Sequence, residues 1–393
     1  MDRTTSHGEI CLIYDFLSEQ GGLERELITH ARFLQQAGYT VTILTCHLDP
    51  QLLTLLPFED IPVKTIGLVN APWEIVNLGL CFLGINRLSS WNPDLFISYS
   101  FPANYLLRNK KTIKINYVNH YPHFLYHSPE EQAEWAAGTH GVKRKLSVWV
   151  GKFLGSYLKK LDRKLLLQNK LLFMNSKFTQ KNLEKLYAIK GTVVSYPPLD
   201  KRFSSPQPGT IREKFIFSSS RIIPDKKYEL LLDAGAHLKK KLPIWLAGSV
   251  QPNYKAQLEA YARKRKVTLT FLGRLKTDEI INHYASAQVF AFPTPGEDFG
   301  LVPAESLACG TPVVAWGDGA GPTEQIMDGV NGYLAQPLDV KDFARKIDLI
   351  INSDMKKKKG KQIQASAKPF LFDSLQKEFV TQVQKVIRNN SRS

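Results

Sequence analysis

Two glutamates, Glu297 and Glu305, stand eight residues apart in the stretch GEDFGLVPAESLACGTPVVAW, residues 296–316. The segments around them, VFAFPT and PVVAW, are continuously apolar, which is typical of strands buried on both faces of a parallel sheet. Because Pro303 is tolerated only in the first turn of a helix, we predict a helix that starts near Leu301. Glu297 would then lie in the loop before this helix, and Glu305 about one turn inside it.

The start of this helix has the chemistry of a phosphate site. The N–H groups of Gly300, Leu301 and Val302 have no partner within the helix, and a helix start carries a partial positive charge. Carboxylates accept hydrogen bonds from hydroxyls and repel phosphate, so Glu297 and Glu305 should meet the hydroxyl-rich ends of a ligand. A nucleotide-diphosphate sugar has a sugar at one end and a ribose at the other, and it fits this arrangement.

Two cations follow an earlier strand. The segment SSSRIIPDKKYELLLDA supplies Arg221 and Lys226 where the first strand of the second half ends. An arginine can bind phosphate through a bidentate fork, and a lysine acts as a point charge. Taken alone, the pair is better explained as two surface cations of a basic protein.

The first half carries weaker signals. Gly21 and Gly22 lie between a strand and a helix in ICLIYDFLSEQGGLERE, and a glycine pair lets backbone approach a ligand closely. The third glycine of a dinucleotide-binding fingerprint is absent, and turns use such pairs freely. His120 ends the strand-like segment IKINYVNH and could hydrogen-bond a sugar hydroxyl, although a lone histidine is usually structural.

Strand-like and helix-like segments alternate along the whole chain, which indicates parallel sheets built from βαβ units. The predicted strands are ICLIYDF, TVTILT, PVKTIG, LFISYS, IKINYVNH, LLFMNS, TVVSY, FIFSSSR, PIWLAGS, VTLTFLG, VFAFPT, PVVAW and GYLAQ. With 393 residues, two domains are the natural expectation. We therefore expect an α/β protein of two Rossmann-like, doubly wound domains that face each other across a cleft, with ligands at the carboxyl ends of the strands.

The domain bounds follow from composition. We predict a first domain over 1–198 and a short proline- and glycine-rich linker over 199–209. A second domain would cover 210–370. The final helical segment, 371–393, would finish the second domain or cross back to the first.

Charge and composition narrow the functional classes. The formal net charge of +16 suggests a polyanionic partner, which could be nucleic acid, an anionic membrane surface or a phosphate-bearing substrate. We see no RNA-binding signature and expect no nucleic-acid partner. The four cysteines have no CxxC spacing, which argues against a zinc site and suits a reducing compartment. No leader or spanning segment is evident, so we expect a cytoplasmic protein, at most peripheral at the inner face of a membrane.

The segment KRKLSVWVGKFLGSYLKKLDRK, residues 143–164, holds eight basic residues and one acidic residue. On a helical wheel one edge is basic (Lys145, Lys152, Lys159, Arg163) and the other is apolar (Leu146, Val150, Phe153, Tyr157, Leu161). Such a basic amphipathic helix is a common form of contact with an anionic membrane surface. An equally good explanation is that the apolar face packs on the first domain and the basic edge is merely solvated.

Taken together, these motifs resemble the large retaining glycosyltransferase family of the GT-B fold, numbered four in the usual classification and also described as glycosyl transferases group 1. Glu297 and Glu305 match the family's E-x7-E motif, and Arg221 and Lys226 match its R-x4-K pair. Gly21 and Gly22 match its glycine-rich loop, and His120 matches its acceptor-side histidine. The resemblance covers nearly the whole chain and is more specific in the second half. Within the family, the chain looks most like the mannosyltransferase branches.

The resemblance implies a role for each motif. The first domain would bind the acceptor, with His120 on the acceptor side, and the second would bind the donor. Glu297 would contact the hydroxyls of the donor sugar, and Glu305 the ribose. The other donor-binding residues would be Gly21, Gly22, Arg221, Lys226, Gly273, Phe299, Gly300 and Leu301, of which Arg221 and Lys226 would also stabilise the leaving diphosphate. Transfer in the family retains configuration and needs no metal, so we expect no cofactor and no essential metal.

The sequence therefore predicts a retaining, metal-independent glycosyltransferase that moves a hexose, with mannose favoured, to a lipid-linked or membrane-proximal glycan. GDP-mannose is the favoured donor and a UDP-hexose the second. The alternatives are a UDP-sugar-dependent hexosyl or N-acetylhexosaminyl transferase of the same fold, and an inactive scaffold that binds nucleotide sugars. The chain departs from the family at Lys227, where glycine is usual, and after His120, where aspartate is commoner.

Overall fold

The computed structural model describes residues 7–18, 21–56, 58, 60–68, 74–126 and 141–390. Within these ranges, it describes only the backbone of residues 55, 74–75, 78, 123 and 141–147. The chain divides into two compact units. The first comprises Met1–His127, Leu146–Pro198 and Leu375–Ser393. The second comprises Leu199–Ser374 together with residues 128–145, of which 141–145 are described.

The first unit contains a parallel sheet of seven strands in the order β3-β2-β1-β4-β5-β6-β7. Its strands are β1 (Glu9–Leu17), β2 (Thr40–Leu48), β3 (Val63–Thr65), β4 (Leu95–Tyr99), β5 (Ile113–Val118), β6 (Leu171–Met174) and β7 (Val193–Val194). Each strand predicted in this half of the chain is confirmed, although the last one has only two residues. The central strands are buried almost throughout, because helices cover both faces of such a sheet.

Helices connect these strands. They are α1 (Gly22–Gln36), α2 (Leu52–Leu55), α3 (Glu74–Phe82), α4 (Ser100–Leu106), α5 (His123–Tyr126), α6 (Gly141–Leu167) and α7 (Lys177–Tyr187). The start of α7 shows why the chain turns into a helix there, since the Ser176 side chain accepts a hydrogen bond from the N–H of Thr179. None of the helices in the described part of the chain has both the length and the apolar character needed to cross a membrane.

The second unit contains a parallel sheet of six strands in the order β10-β9-β8-β11-β12-β13. Its strands are β8 (Ile216–Ser219), β9 (Ile244–Ala247), β10 (Leu269–Gly273), β11 (Val289–Ala291), β12 (Val313–Trp316) and β13 (Gly332–Ala335). All six were predicted from the sequence. In both units the strand order reverses beside the first strand, between β1 and β4 and between β8 and β11, and ligands of doubly wound sheets bind at such switch points.

The helices of the second unit follow the same alternation. They are α8 (Tyr228–His237), α9 (Pro252–Arg265), α10 (Thr277–Ser286), α11 (Leu301–Ala308), α12 (Val340–Asn352) and α13 (Met355–Ser366). Residues 199–209, predicted as a linker, group with this unit and include the 3-10 turn Lys201–Ser204.

A final helix, α14 (Phe372–Asn390), begins in the second unit, and from Leu375 onward it groups with the first. Within the first unit its Phe379 ring stacks on His30 with centroids 4.2 Å apart and on Phe173 at 5.1 Å. The apolar face of this helix is therefore part of the core of the first unit.

Candidate functional site

The carboxyl ends of β8 and β11 bring together the two charges that the sequence singled out in different segments. Lys226 ends the short turn Pro224–Lys226 that follows β8, and Glu297 lies in the loop that follows β11. The Nζ of Lys226 lies 2.6 Å from Oε2 of Glu297, and the two side chains are only 17% and 26% exposed. The structure thus places an ion pair at the switch point of the second sheet.

The loop before α11 is held by a second loop. Gly321 donates its N–H to the carbonyl of Glu297 at 2.8 Å. A Cβ on Gly321 would lie 2.3 Å from the Cα of Phe299, so only glycine allows this approach. Gln325 adds two hydrogen bonds from its Nε2, to the carbonyls of Phe299 and Gly300. These contacts leave the backbone around Glu297 little freedom.

The predicted start of the helix is confirmed, since α11 begins at Leu301. Gly300 precedes it with a φ of +77°, a left-handed conformation that favours glycine. The first N–H groups of α11 therefore follow directly on the loop that carries Glu297. A carboxylate, an ammonium group and a helix start are combined in one place.

Glu305 has a different environment from the one the sequence suggested. It is only 2% exposed, and its Oε2 accepts a hydrogen bond of 2.8 Å from the hydroxyl of Tyr284. That hydroxyl also lies 2.6 Å from Oγ of Ser219, the last residue of β8. The side chain thus ties α11 to α10 and β8 within the core of the unit. Its contact with a ribose stays a prediction.

The sequence did not single out Tyr284 or Ser219. Tyr284 precedes Glu305 by 21 positions, and the two residues lie on different helices, so no local spacing along the chain predicts their hydrogen bond. Ser219 could have been noticed as a polar residue that ends an apolar strand at the switch point.

Two other predicted residues also have defined surroundings. Phe299 is 2% exposed, and its ring centroid lies 5.6 Å from that of Phe370, so its side chain packs in the core. Gly273 ends β10 with a φ of +70° and open space beside its Cα. Its carbonyl accepts the N–H of Gly248 at 2.8 Å.

The departure at Lys227 now has a physical meaning. This residue has a φ of +53° and a ψ of +43°, the left-handed conformation, between the turn that ends at Lys226 and helix α8. Glycine reaches this conformation without a steric penalty, which explains why it is usual at this position. Arg221, on the other side of the turn, is exposed.

The remaining predicted residues belong to the first unit. Gly21 directly precedes α1 and has an extended backbone, with φ −128° and ψ −172°, which does not itself require glycine. Gly22 is the first residue of α1. His120 follows the end of β5 by two residues and is partly buried. Since β1 and β5 are parallel strands of one sheet, these residues follow the same edge of that sheet.

Among the described residues, no group of three histidine, cysteine, aspartate or glutamate side chains is placed to hold a metal ion. The predicted independence from metal stays a prediction. The four cysteines are buried and free.

Helix α6 carries the basic amphipathic segment, and its faces differ from the helical-wheel prediction. Trp149, Phe153 and Tyr157, at helical spacing, are 60%, 65% and 64% exposed. Of the predicted basic edge, Lys159 lies over the ring of Tyr126 at 4.5 Å, and Arg163 donates from Nε to the carbonyl of Tyr187. The side chains of Lys145 and Leu146 lie outside the described residues.

The packed side of α6 is formed by other residues. Asp162, Leu165 and Leu166 are buried, and a Cβ on Gly151 would lie 2.7 Å from the carbonyl of Phe124. The sequence left open whether this helix packs on the first domain or offers an amphipathic face to a membrane surface, and the structure has features of both. One face of α6 packs on the first unit, and an opposite face of aromatic side chains is exposed.

Two family models match adjacent parts of the chain. Residues 20–202 match the model described as "Glycosyltransferase Family 4", and residues 200–368 match "Glycosyl transferases group 1". Together they extend over most of the chain.

Curated relatives match a shorter part of the chain, about 150 residues. A D-inositol 3-phosphate glycosyltransferase of Mycolicibacterium smegmatis is 33% identical over 150 residues, which is 36% of this chain and 33% of the relative. The serotype-specific mannosyltransferase WbdA of Escherichia coli is 29% identical over 153 residues, 37% of this chain and 18% of WbdA. The matched region thus spans about a third or less of the length of these relatives.

Solved structures share the fold over nearly the whole chain. HepE of Anabaena, crystallised in complex with UDP-glucose, matches with a TM-score of 0.73 at 19% identity, covering 96% of this chain and all of HepE. A sucrose-phosphate synthase from Thermosynechococcus elongatus matches with a TM-score of 0.76 at 16% identity, covering 97% and 99% of the two chains. At these identities the likeness concerns the fold.

Proposed function

Because the chain belongs to the GT-B glycosyltransferases that combine a Family 4 domain with a group 1 domain, we propose that it transfers a hexose from a nucleotide-diphosphate sugar to a glycan acceptor. We propose further that mannose is the sugar, that configuration is retained and that no metal takes part. The acceptor would be lipid-linked or close to a membrane. The observation that carries the proposal is the ion pair between Lys226 and Glu297, next to the start of α11.

The charges at this position suggest how a donor would be held. The ammonium group of Lys226 lies 2.6 Å from the carboxylate of Glu297 and neutralises its charge. A diphosphate near the first N–H groups of α11 would draw the ammonium group of Lys226 to its own oxygens. Glu297 would then be free to accept hydrogen bonds from the sugar hydroxyls. Arg221 would add a second cation to the diphosphate.

The same groups would assist the bond cleavage. As the bond between the sugar and the diphosphate breaks, negative charge grows on the leaving phosphate, and Arg221 and Lys226 would stabilise it. The acceptor hydroxyl would attack from the side the leaving group departs from, and its proton would pass to the departing phosphate. His120 would hydrogen-bond the acceptor side of the reacting sugar, and Glu305 would meet the ribose.

The choice of mannose rests on the likeness of the motifs to mannosyltransferases and on the relative WbdA, which is named a mannosyltransferase. A UDP-hexose is the second candidate, because HepE shares the fold and was crystallised in complex with UDP-glucose. Both donors would use the same site residues.

A thermal-shift panel with GDP, UDP, ADP and their common sugars separates these donors. A ligand at about 100 times its dissociation constant adds roughly 2.7 kcal/mol, which raises the midpoint by several degrees. A shift with GDP compounds alone supports mannosyl transfer, and a shift with UDP compounds alone replaces it by UDP-hexose or N-acetylhexosamine transfer. No shift with any nucleotide contradicts the donor site.

Site variants test the assignment once the donor is known. Hydrogen bonds to charged groups are worth about 1.5–3 kcal/mol, so Glu297→Ala and Arg221→Ala should each lower turnover at least about tenfold. The exposed ion pair of Lys255 and Glu259, in the same unit, offers a matched control. Lys255→Ala should leave turnover unchanged. Wild-type turnover in both site variants would refute the site, and donor binding without any transfer would favour the inactive scaffold.

We also propose that the exposed face of α6 contacts an anionic membrane surface. Three aromatic side chains, Trp149, Phe153 and Tyr157, are exposed along one side of a helix that also carries exposed Lys160 and Lys164. Aromatic residues that insert at the headgroup level next to lysines are typical of interfacial helices. At about 1 kcal/mol for each basic residue near anionic lipid, two such residues support a reversible contact.

Sedimentation with phosphatidylglycerol vesicles tests this contact. The protein should co-sediment at low salt and be released at high salt, and the double variant Trp149→Ser, Phe153→Ser should bind at least tenfold more weakly. Leu186→Ser serves as the control, since Leu186 is an exposed apolar residue on a different helix, α7. Absence of binding to these vesicles at low salt would refute the membrane contact.

A further inference from the structure

The residue directly before His120 is held by side chains of three other segments. The N–H of Asn119 donates to Oγ of Ser100 at 2.9 Å, and its carbonyl accepts from Nδ2 of Asn175 at 2.7 Å. Its own side-chain amide donates to Oε2 of Glu26. All four of these side chains are at least nine-tenths buried, so little water competes for the bonds.

The bonding groups come from elements that are distant in sequence. Glu26 lies on α1, Ser100 follows β4, and Asn175 follows β6. They converge where β5 ends, next to β4 and β6 in the sheet. Ser100 has a φ of +55°, which is uncommon for a residue other than glycine, and this conformation is the one in which its hydroxyl meets Asn119.

Such a set of bonds does more than satisfy buried polar groups. Both backbone groups of Asn119 and its side chain are fixed, so the direction in which the chain leaves β5 is fixed too. His120 is the next residue, so the point from which its imidazole extends follows from that direction. A loop end without these bonds would allow the imidazole to occupy several positions.

We propose that Glu26, Ser100 and Asn175 are positioning residues, which hold Asn119 so that His120 is presented to the acceptor in one orientation. The inference rests on the proposed function, in which His120 serves the acceptor side. Glu26 is the most informative of the three, because its carboxyl group can change its charge whereas the hydroxyl and the amide cannot.

The surroundings of Glu26 favour its uncharged form. Burial raises its pKa to about 8, while hydrogen bonds with Tyr117 and Asn119 act in the opposite direction. The titratable groups around it are Tyr99 and Tyr117, whose pKa values burial raises well above 10, and His30, whose pKa burial lowers to about 3. These three stay uncharged between pH 6 and pH 9, so the carboxyl of Glu26 is the group among them that titrates there.

Ionisation of Glu26 would place an uncompensated charge in the core and disturb the bonds around Asn119. Glutamine has the shape of the neutral acid and cannot ionise. We therefore expect the turnover number of the wild-type protein to fall as the pH rises through about 8. In Glu26→Gln this fall should be absent.

The test compares Glu26→Gln and Glu26→Leu with a matched control, Asp162→Asn. Asp162 is also a buried carboxylate that accepts hydrogen bonds from an asparagine, Asn104, and from a tyrosine, Tyr187, but it lies on α6. We expect Glu26→Leu to lower kcat at least tenfold, with the donor KM and the donor-induced thermal shift unchanged. Glu26→Gln should keep at least a third of kcat at pH 7, and the control should stay within twofold.

Several results would overturn the proposal. They are a wild-type kcat in Glu26→Leu, equal losses in the leucine and glutamine variants, and a pH profile of Glu26→Gln that coincides with that of the wild type. If Glu26→Leu does not fold, the profile of Glu26→Gln still decides.

A measurement that does not depend on turnover separates this inference from the proposed function. The NMR signal of the His120 imidazole, assigned by comparison with His120→Asn, reports its surroundings in the absence of substrates. Its titration should shift or broaden in Glu26→Leu and stay unchanged in Asp162→Asn. An unchanged titration in Glu26→Leu refutes the positioning role, whereas a protein that shows this change but transfers no sugar refutes the proposed function alone.

Discussion

Replacing Glu26 by glutamine should stabilise the first unit, and the gain should grow with pH. In the unfolded chain the carboxyl has its ordinary pKa of 4.5, and in the folded protein burial raises the pKa to about 8. Between these values the folded state binds more protons than the unfolded state, so the stability that Glu26 contributes is complete below pH 4.5 and is lost as the pH rises towards 8.

The size of the effect follows from the width of this window. Each pH unit inside it costs the wild-type protein about 1.4 kcal/mol. From pH 5 to pH 7.5 the free energy of unfolding should therefore fall by about 3 kcal/mol through this one group. Glutamine cannot ionise and avoids the loss, while its side chain can still accept the hydrogen bond that Asn119 donates.

Differential scanning calorimetry measures the difference in free energy of unfolding between Glu26→Gln and the wild-type protein. The scans are taken at half-unit steps from pH 5 to pH 9, and the transitions of the two units are fitted separately. Other titrating groups are common to both and cancel in that difference. The difference should rise steadily up to about pH 8 and then become constant. A difference that does not depend on pH would show that the carboxyl is not held uncharged, and the reasoning about Glu26 would fail.

Three further substitutions test other parts of the fold by the same calorimetry. Phe379→Ala should lower the stability of the first unit by about 3–5 kcal/mol, since it removes the ring stacked 4.2 Å from His30, and an unchanged midpoint would contradict the docking of α14. Lys227→Gly should raise the stability of the second unit by up to about 1 kcal/mol, because a left-handed lysine costs about 1–2 kcal/mol and the added flexibility of glycine takes back part of it. Gly248→Ala should lower that stability by about 3 kcal/mol or more, because its Cβ would lie 1.8 Å from the carbonyl oxygen of Ser220, and a loss below 1 kcal/mol would refute the close approach.

The elements of this protein could be predicted from its sequence because their signals are local. Continuous apolar runs separated by amphipathic segments indicated both parallel sheets, and each of the thirteen predicted strands is present. The start of α11 at Leu301 could be predicted from Pro303 alone, since proline fits only the first turn of a helix. The charges that follow β8 and β11 were recognised for the same reason, as they stand in the loops that come after apolar strands.

The partners of those charges depended on which strands become neighbours, and this is a property of the whole sheet. Between the end of β8 and the start of β11 lie 69 residues of the chain. The two strands are nevertheless neighbours in the sheet, and their pairing places Lys226 against Glu297. The fold also buries Glu305 against Tyr284, whereas the sequence led us to expect that both carboxylates meet the hydroxyls of a ligand.

The first unit shows the same division. The sequence by itself determined that His120 follows a buried strand, because such a strand is recognised from the apolar residues that follow one another along the chain. Only the tertiary structure decided that Glu26, Ser100 and Asn175 meet at Asn119, since hydrogen bonds depend on distances in space and no spacing along the chain encodes them. The burial that raises the pKa of Glu26 likewise arises when helices and strands from separate parts of the chain close around it.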